Sequence, residues 1–162
     1  MVGRTGEHRR IGPPEAAETP ATKELDMPTV STPNLTLSEA DSQVTVSVDY
    51  TVTFDPWDRA LVGLGRRYHR HLNIHGWDGG PDLGAAIPEA EFIRFDFPVT
   101  VGTTDQVFVR NEHKLLPRSF FQEDPTGNPD ELKANVLIHS NQVIQEWSPD
   151  AISDTETLTS AP

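Results

Sequence analysis

The sequence predicts an all-β fold: an antiparallel Greek-key β-sandwich of about seven to eight strands, with disordered N- and C-terminal tails. The main observation is residues 43–54, where apolar and polar side chains alternate at every second position, as they do in a half-buried strand. Further alternating segments follow, and turn-forming residues separate them. Little of the chain has helical periodicity, so we expect two packed sheets.

The predicted strands begin after a polar, proline-rich N-terminal region. Leu35 and Leu37 predict a short first strand, which the turn-forming residues 38–42 end. The long strand 43–54 comes next. It stops at Pro56, because proline has no N–H to donate to a neighbouring strand.

A short helical segment and an unusual strand come next. Residues 57–65 predict a helical turn or crossover, which Gly63 and Gly65 weaken. Residues 67–77 predict a strand whose two faces differ. One face carries Tyr68, Leu72 and Ile74, and the other carries His69, His71, Asn73, His75 and Trp77.

The second half of the chain supplies the remaining strands. Residues 78–84 form a loop, and residues 91–101 alternate as a strand in which Pro98 indicates a sheet edge or a bulge. Three more strand segments and a closing segment complete the domain. They are residues 106–110, 114–121 and 132–138, followed by 142–147, with a polar loop over 123–131.

Composition divides the chain into three parts. Residues 1–33 and 148–162 lack the apolar pattern that a core needs, so we expect a disordered N-terminal arm and a disordered acidic C-terminal tail. Residues 34–147 form the folded β-sandwich domain, which has an ordinary size. Hydrophobic residues make up 35% of the chain, and the deficit lies mainly in the two tails.

Charge and composition argue against several classes of function. A formal net charge of −12 disfavours binding to nucleic acid and to anionic membranes. The chain contains no cysteine, so it has neither disulfides nor thiolate chemistry. Because no segment has the pattern of a signal peptide or a membrane span, we expect a cytoplasmic protein.

The strand rhythm resembles that of a large group of sandwiches. The loop over 123–130 and the strand pattern over 131–139 resemble the late hairpins of immunoglobulin-like and fibronectin-type domains. The cysteine and tryptophan core of antibody domains is absent. The resemblance implies an adhesion, assembly or accessory module, and it implies no chemistry.

The histidines of the strand over 67–77 are the first candidate site. His69 and His71 share a face, about 6.6 Å apart along the strand, and could both bind one transition-metal ion. His75 lies further along that face and would need a bulge or another strand to join them. The alternative interpretation is a solvated outer face.

The spacing of Gly63, five residues, His69 and His71 also resembles the opening of the first cupin motif. Cupins are metal-holding β-barrels, so the resemblance implies His69 and His71 as metal ligands. The glutamate that follows in that motif is absent here. The alternative function is therefore a small metal-dependent enzyme of cupin type, with His75 or His113 completing the ligand set.

A basic and aromatic segment is the second candidate site. Guanidinium groups bind carboxylates and phosphates, and aromatic rings stack on ligands, so this segment could form a ligand or partner surface. The alternative is ordinary ion pairing with nearby carboxylates. The residues are Arg66, Arg67, Tyr68, Arg70 and Trp77.

Seven carboxylates and one amide in the predicted loops are a third candidate, for Ca²⁺. None of them has the spacing of an EF-hand loop, and solvated turns are the alternative interpretation. The residues are Asp55, Asp58, Asp78, Asp82, Glu123, Asp124, Asn128 and Asp130.

Taken together, these patterns predict a non-catalytic β-sandwich module that binds a protein partner or assembles as a homo-oligomer. The expected interface is the edge of the strand over 91–101 with the aromatic residues Phe92, Phe120 and Phe121. No nucleotide, phosphate or acyl-transfer motif is present, and no cofactor is firmly predicted.

Overall fold

A computed structural model describes residues 27–92, 94–121, 130–141 and 148–158, which form an all-β sandwich of two antiparallel sheets. Sheet A contains β1 (Thr29–Val30), β2 (Asn34–Ala40), β3 (Gln43–Phe54) and β5 (Gln106–Pro117). Sheet B contains β4 (Tyr68–Gly76), β6 (Asp130–Ser140), β7 (Ala151–Ile152) and β8 (Glu156–Leu158). The other described elements are one helix, α1 (Pro56–Gly63), and two 3-10 turns, Pro88–Ala90 and Arg118–Phe121.

The long strand β3 is the centre of sheet A, and its alternation is as predicted. Its even-numbered residues, from Val44 to Phe54, are buried, and its odd-numbered residues are half-buried. β2 and β1 pair with one edge of β3, and β5 pairs with the other edge along the whole strand. Asp41 and Ser42, both with positive φ, form the two-residue turn between β2 and β3, as in a type I′ hairpin.

The end of β3 and the start of α1 are determined by the same few residues. The Asp55 side chain accepts a hydrogen bond from the Asp58 N–H, and the Asp58 side chain accepts one from the Asp55 N–H, which forms a capping box. Pro56 is favoured at the first helical position because its missing N–H would have no partner there. The predicted helical segment is therefore confirmed. The described helix is too short and too polar to cross a membrane.

The central pair of sheet B is β4 and β6. Tyr68, Leu72 and Ile74 of β4 face the core, as predicted, and pack with the even-numbered residues of β6. Phe54 of sheet A contacts the Tyr68 ring at 5.0 Å between centroids and the Phe97 ring at 5.2 Å, so aromatic side chains join the two sheets.

The free edge of β4 is covered by the chain over 84–99, which is not a regular strand. Its backbone bonds β4 at intervals: Gly84 N–H donates to Gly76 O, and Phe97 N–H donates to Tyr68 O, both at 3.0 Å. The 3-10 turn at Pro88–Ala90 interrupts the ladder, and Pro98 has no N–H. The predicted strand over 91–101 is therefore wrong, although its position at a sheet edge is right.

Two other boundaries differ from the prediction. The segments 106–110 and 114–121 belong to the single strand β5, which ends at Pro117 and continues as a 3-10 turn. The chain after residue 147, predicted as a tail, adds β7 and β8 to β6. The hydroxyls of Ser148 and Ser153 accept hydrogen bonds from β6 backbone N–H groups, which extends the ladder.

The sandwich therefore extends beyond the predicted 34–147 at both ends, from β1 to β8. The expected disordered arm over 1–26, most of the polar loop over 123–131, the closing segment 142–147 and residues 159–162 lie outside the described residues.

Candidate functional site

Three histidines cluster on the outer face of sheet B, where adjacent strands bring them together. His69 and His71 of β4 share this face, and His139 of β6 lies directly opposite His69 in the strand register. The His71 and His139 Nε2 atoms are 3.0 Å apart, so one ring donates its N–H to the other. The His69 ring stacks on the His139 ring with 5.0 Å between centroids.

The chain that covers the β4 edge supplies acidic and basic neighbours to this cluster. The His69 Nδ1 and Asp96 Oδ1 atoms are 2.6 Å apart, which fixes the ring orientation. His71 and His139 are each only 9% exposed. Burial, with the positive charge of Arg94, lowers the pKa of His71 to about 4, and burial likewise lowers the pKa of His139. Both rings are therefore neutral at physiological pH.

A pocket of about 420 Å³ adjoins the cluster, and Asp96 belongs to both. Its polar lining combines Arg66, Arg67, Tyr68 and Asp96, and the Arg67 and Asp96 side chains are 4.0 Å apart. Two arginines and one carboxylate line this pocket, so the charged lining has a formal excess of one positive charge.

A buried acid lies behind Tyr68, a residue of the pocket wall. Asp58 is 1% exposed, and the Tyr68 hydroxyl donates a hydrogen bond of 2.8 Å to its carboxylate. Burial raises the pKa of Asp58 to about 6, and the bond from Tyr68 opposes part of that rise. The same burial and hydrogen bond raise the pKa of the Tyr68 hydroxyl. Asp58 belongs to the helix cap and the core, and of the two residues it is Tyr68 that lines the pocket.

The predicted metal site has only part of the expected geometry. The structure places His69 and His71 on one face, as predicted, but His75 is separate: its Nδ1 atom lies 3.0 Å from the Gly84 carbonyl oxygen. His113 lies in β5 of the other sheet, opposite Ser47. Among the residues described here, no three His, Asp or Glu side chains are placed to hold a metal. The described strands form two sheets and no closed barrel, so neither the ligand set nor the architecture of a cupin fits.

Strand alternation divides the predicted arginine and aromatic surface, of which Arg66, Arg67 and Tyr68 line the pocket described above. Arg70 and Tyr68 are buried on the core face of β4, and Arg66 is also buried. The Arg70 guanidinium pairs with Glu112 at 3.1 Å and stacks on the Phe95 ring. The Arg67 side chain is 72% exposed. Trp77 lies apart, at the far end of β4, beneath the Lys133 ammonium group.

The Ca²⁺ candidates are also dispersed. Asp55 and Asp58 form the cap of α1, and Asp130 is buried in β6. Asp78 and Asp82 are exposed in the loop after β4. Glu123, Asp124 and Asn128 lie outside the described residues.

The structure buries most of the aromatic residues of the expected interface. Phe92 and Phe121 are core residues, and Phe120 is partly exposed. Large exposed apolar side chains instead follow β5: Val107 is 54% exposed, Val109 is 78% exposed and Leu115 is 61% exposed. All three have odd numbers and therefore lie on the outer face of sheet A.

Two residues of this site, His139 of the histidine cluster and its neighbour Asp96, were not predicted from the sequence. His139 alternates with the buried residues of β6, which indicates its outward face but not its neighbour, because the β4–β6 register is not visible in the sequence. Asp96 lies in the irregular chain along β4. No local pattern signals either contact.

Comparisons with known proteins give no family. The chain matches no protein-family model, no curated protein and no solved structure.

Proposed function

We propose that this protein is a non-catalytic β-sandwich module, and that another protein chain binds it along the edge of β5. The observation that carries this proposal is the pairing of β5. Within the described part of the chain, this strand of 12 residues pairs with β3 alone. Its other edge leaves backbone N–H and C=O groups for an added strand, which is a common way for proteins to bind one another.

The other sheet edges are less suited to this role. β2 is shorter, and its exposed side chains, such as Thr36 and Ser38, are polar. The β4 edge is covered by the chain over 84–99. β7 and β8 have 2 and 3 residues. Short or covered edges are protected against further pairing, so β5 is the longest accessible edge among those described.

The outer face of β5 favours contact with protein rather than with water. Val107 and Val109 are neighbours on this face, and Leu115 lies further along it, beyond Asn111 and His113. Exposed apolar side chains that lie together on a small domain favour an interaction surface over simple solvation. Net charge −12 supports a protein partner over a nucleic acid.

The metal-dependent enzyme is the weaker candidate. The histidine cluster contains a carboxylate–histidine pair and a histidine–histidine hydrogen bond, which give partners to the His69 Nδ1 atom and to the Nε2 atoms of His71 and His139. We assign the cluster a structural role.

The test compares two edges of the same sheet. The variant Val107→Lys with Val109→Lys places two charges on β5, and the matched control, Thr36→Lys with Ser38→Lys, places the same charges on β2. We expect wild type and control to associate as concentration rises in sedimentation experiments, and the β5 variant to stay monomeric.

Hydrogen exchange gives the second readout of the same proposal. Association through the β5 edge should slow amide exchange in β5 at high protein concentration, and not in β2. A wild-type protein that stays monomeric at every concentration, with β5 amides exchanging at one constant rate, would contradict the proposed function.

A further inference from the structure

We infer that the strand that binds β5 is β5 of a second copy, paired antiparallel about a twofold axis through Asn111. This inference rests on the proposed function and specifies its partner and register. The alternation of β5, the charges along it and its exposed apolar side chains favour this register.

Backbone geometry restricts where such an axis can lie. Along an edge strand, the outward-pointing N–H and C=O groups belong to every second residue. Two copies of one strand therefore bond antiparallel only when outward residues meet outward residues. This condition requires the axis to pass through a residue, because an axis between two residues would pair outward groups with inward ones.

The charges of β5 select Asn111 over its two neighbours. With the axis at Asn111, Arg110 of each copy lies opposite Glu112 of the other, which gives two cross-strand pairs of opposite charge. An axis at Arg110 would place that residue opposite itself. An axis at Glu112 would place two carboxylates together and set Arg110 opposite Lys114, both like-charge arrangements that destabilise a sheet.

The exposed apolar side chains agree with the same register. With the axis at Asn111, Val107 of each copy lies opposite Leu115 of the other on the outer face, so both exposed side chains gain an apolar neighbour. The nearest rival is an axis at His113, which would pair Glu112 with Lys114. That register sets Asn111 opposite Leu115 and leaves Val107 beyond the overlap.

The charged side chains at this edge are already positioned in the single copy. The Arg110 guanidinium lies over the Phe95 ring, 4.8 Å from its centroid, and also contacts the rings of Phe97 and Phe108. Glu112 is held by Arg70 at 3.1 Å and keeps part of its side chain exposed. Side chains that are fixed before association lose less conformational freedom when a partner arrives.

The experiment uses the absence of cysteine from the chain. In the variant Asn111→Cys, the two thiols would face each other across the axis at a Cα separation of about 4.5–5.5 Å, which a disulfide can span. Val109→Cys is the matched control on the same exposed face. Its two thiols would lie roughly 14 Å apart, from a rise of about 3.4 Å per residue. We expect Asn111→Cys to crosslink about a hundredfold faster than the control.

A second pair of variants keeps the test independent of Asn111, whose side chain bonds Asp49. Val107→Cys and Leu115→Cys should crosslink with each other when mixed, and neither should crosslink with itself. Equal rates for Asn111→Cys and Val109→Cys, with no mixed product, would overturn the register. Fast crosslinking of His113→Cys would assign the rival axis.

The outcomes separate this inference from the proposed function. Concentration-dependent protection of β5 amides without a disulfide at Asn111 would leave β5 as the assembly edge and refute the Asn111 axis. A monomer with unprotected β5 amides would refute both.

Discussion

Replacing Asp58 with asparagine should change how the stability of the protein depends on pH. Asp58 is buried, and its pKa is raised from 3.8 to about 6. An acid with a raised pKa in the folded state binds more protons there than in the unfolded state, so the ionisation of Asp58 lowers the free energy of unfolding as pH rises from about 4 to about 6. The shift of about 2 units corresponds to about 3 kcal/mol of lost stability at neutral pH.

Asp58→Asn removes the ionisation and keeps part of the local bonding. The asparagine oxygen can still accept the hydrogen bond from Tyr68, but its NH₂ group cannot accept the one from the Asp55 N–H. Loss of that capping interaction costs about 1 kcal/mol at every pH. We therefore expect the variant to be less stable than wild type by about 1 kcal/mol at pH 4, and more stable by about 2 kcal/mol at pH 7.

Urea unfolding at several pH values, followed by tryptophan fluorescence, measures this difference. Other titrating groups affect wild type and variant equally, so the difference between the two curves isolates residue 58. If the free energies of unfolding of wild type and variant differ by the same amount at pH 4 and at pH 7, the raised pKa of Asp58 is refuted. A carboxyl NMR titration of Asp58 checks the same value directly.

Three further predictions follow from other residues. The lowered pKa of His71 contributes a loss of about 3 kcal/mol as pH drops from above 6.5 to about 4, opposite in sign to the contribution of Asp58. The stability of wild type relative to His71→Gln should therefore fall by about that amount between the two pH values in urea unfolding. Ser42→Gly should raise the free energy of unfolding by about 1 kcal/mol, because Ser42 has positive φ in the hairpin turn and glycine has no Cβ to oppose that conformation. An unchanged melting temperature would contradict this prediction. Glu112→Gln should lower the free energy of unfolding by about 3 kcal/mol, because it removes the carboxylate that pairs with the buried Arg70. The double variant Arg70→Met with Glu112→Gln should be more stable than the single variant, and chemical unfolding of both variants measures this difference.

The sequence was sufficient where a pattern is local to one strand. Alternation alone predicts the bounds of β3 and the two faces of β4, because the pleat forces successive side chains to opposite sides. The same rule, applied to Arg70, would have placed it in the core beside Tyr68. An isolated arginine in an apolar face is uncommon, and here Glu112 and Phe95 stabilise it from other elements.

Contacts between distant parts of the chain could not be predicted. The meeting of His71 with His139 depends on the register of β4 against β6, and that register has no signature in either strand alone. The segment over 91–101 has the alternation of a strand, but its described residues make only isolated backbone bonds to β4, and Pro98 has no N–H to continue a ladder. The residues after 147 are polar, yet Ser148 and Ser153 use their hydroxyls as ladder partners, which composition does not reveal.

The chain over 84–99 also limits how large an assembly can become. It bonds along β4, and a side chain at Gly84 would collide with the Gly76 carbonyl, so this cover lies too close to be displaced by an incoming strand without disrupting the sheet. In a pair joined through β5, the longest accessible edge strand of each copy is already paired. The remaining sheet edges are polar at β2, short at β7 and β8, and covered at β4. Such a contact closes on itself, and the protein would form discrete pairs rather than filaments.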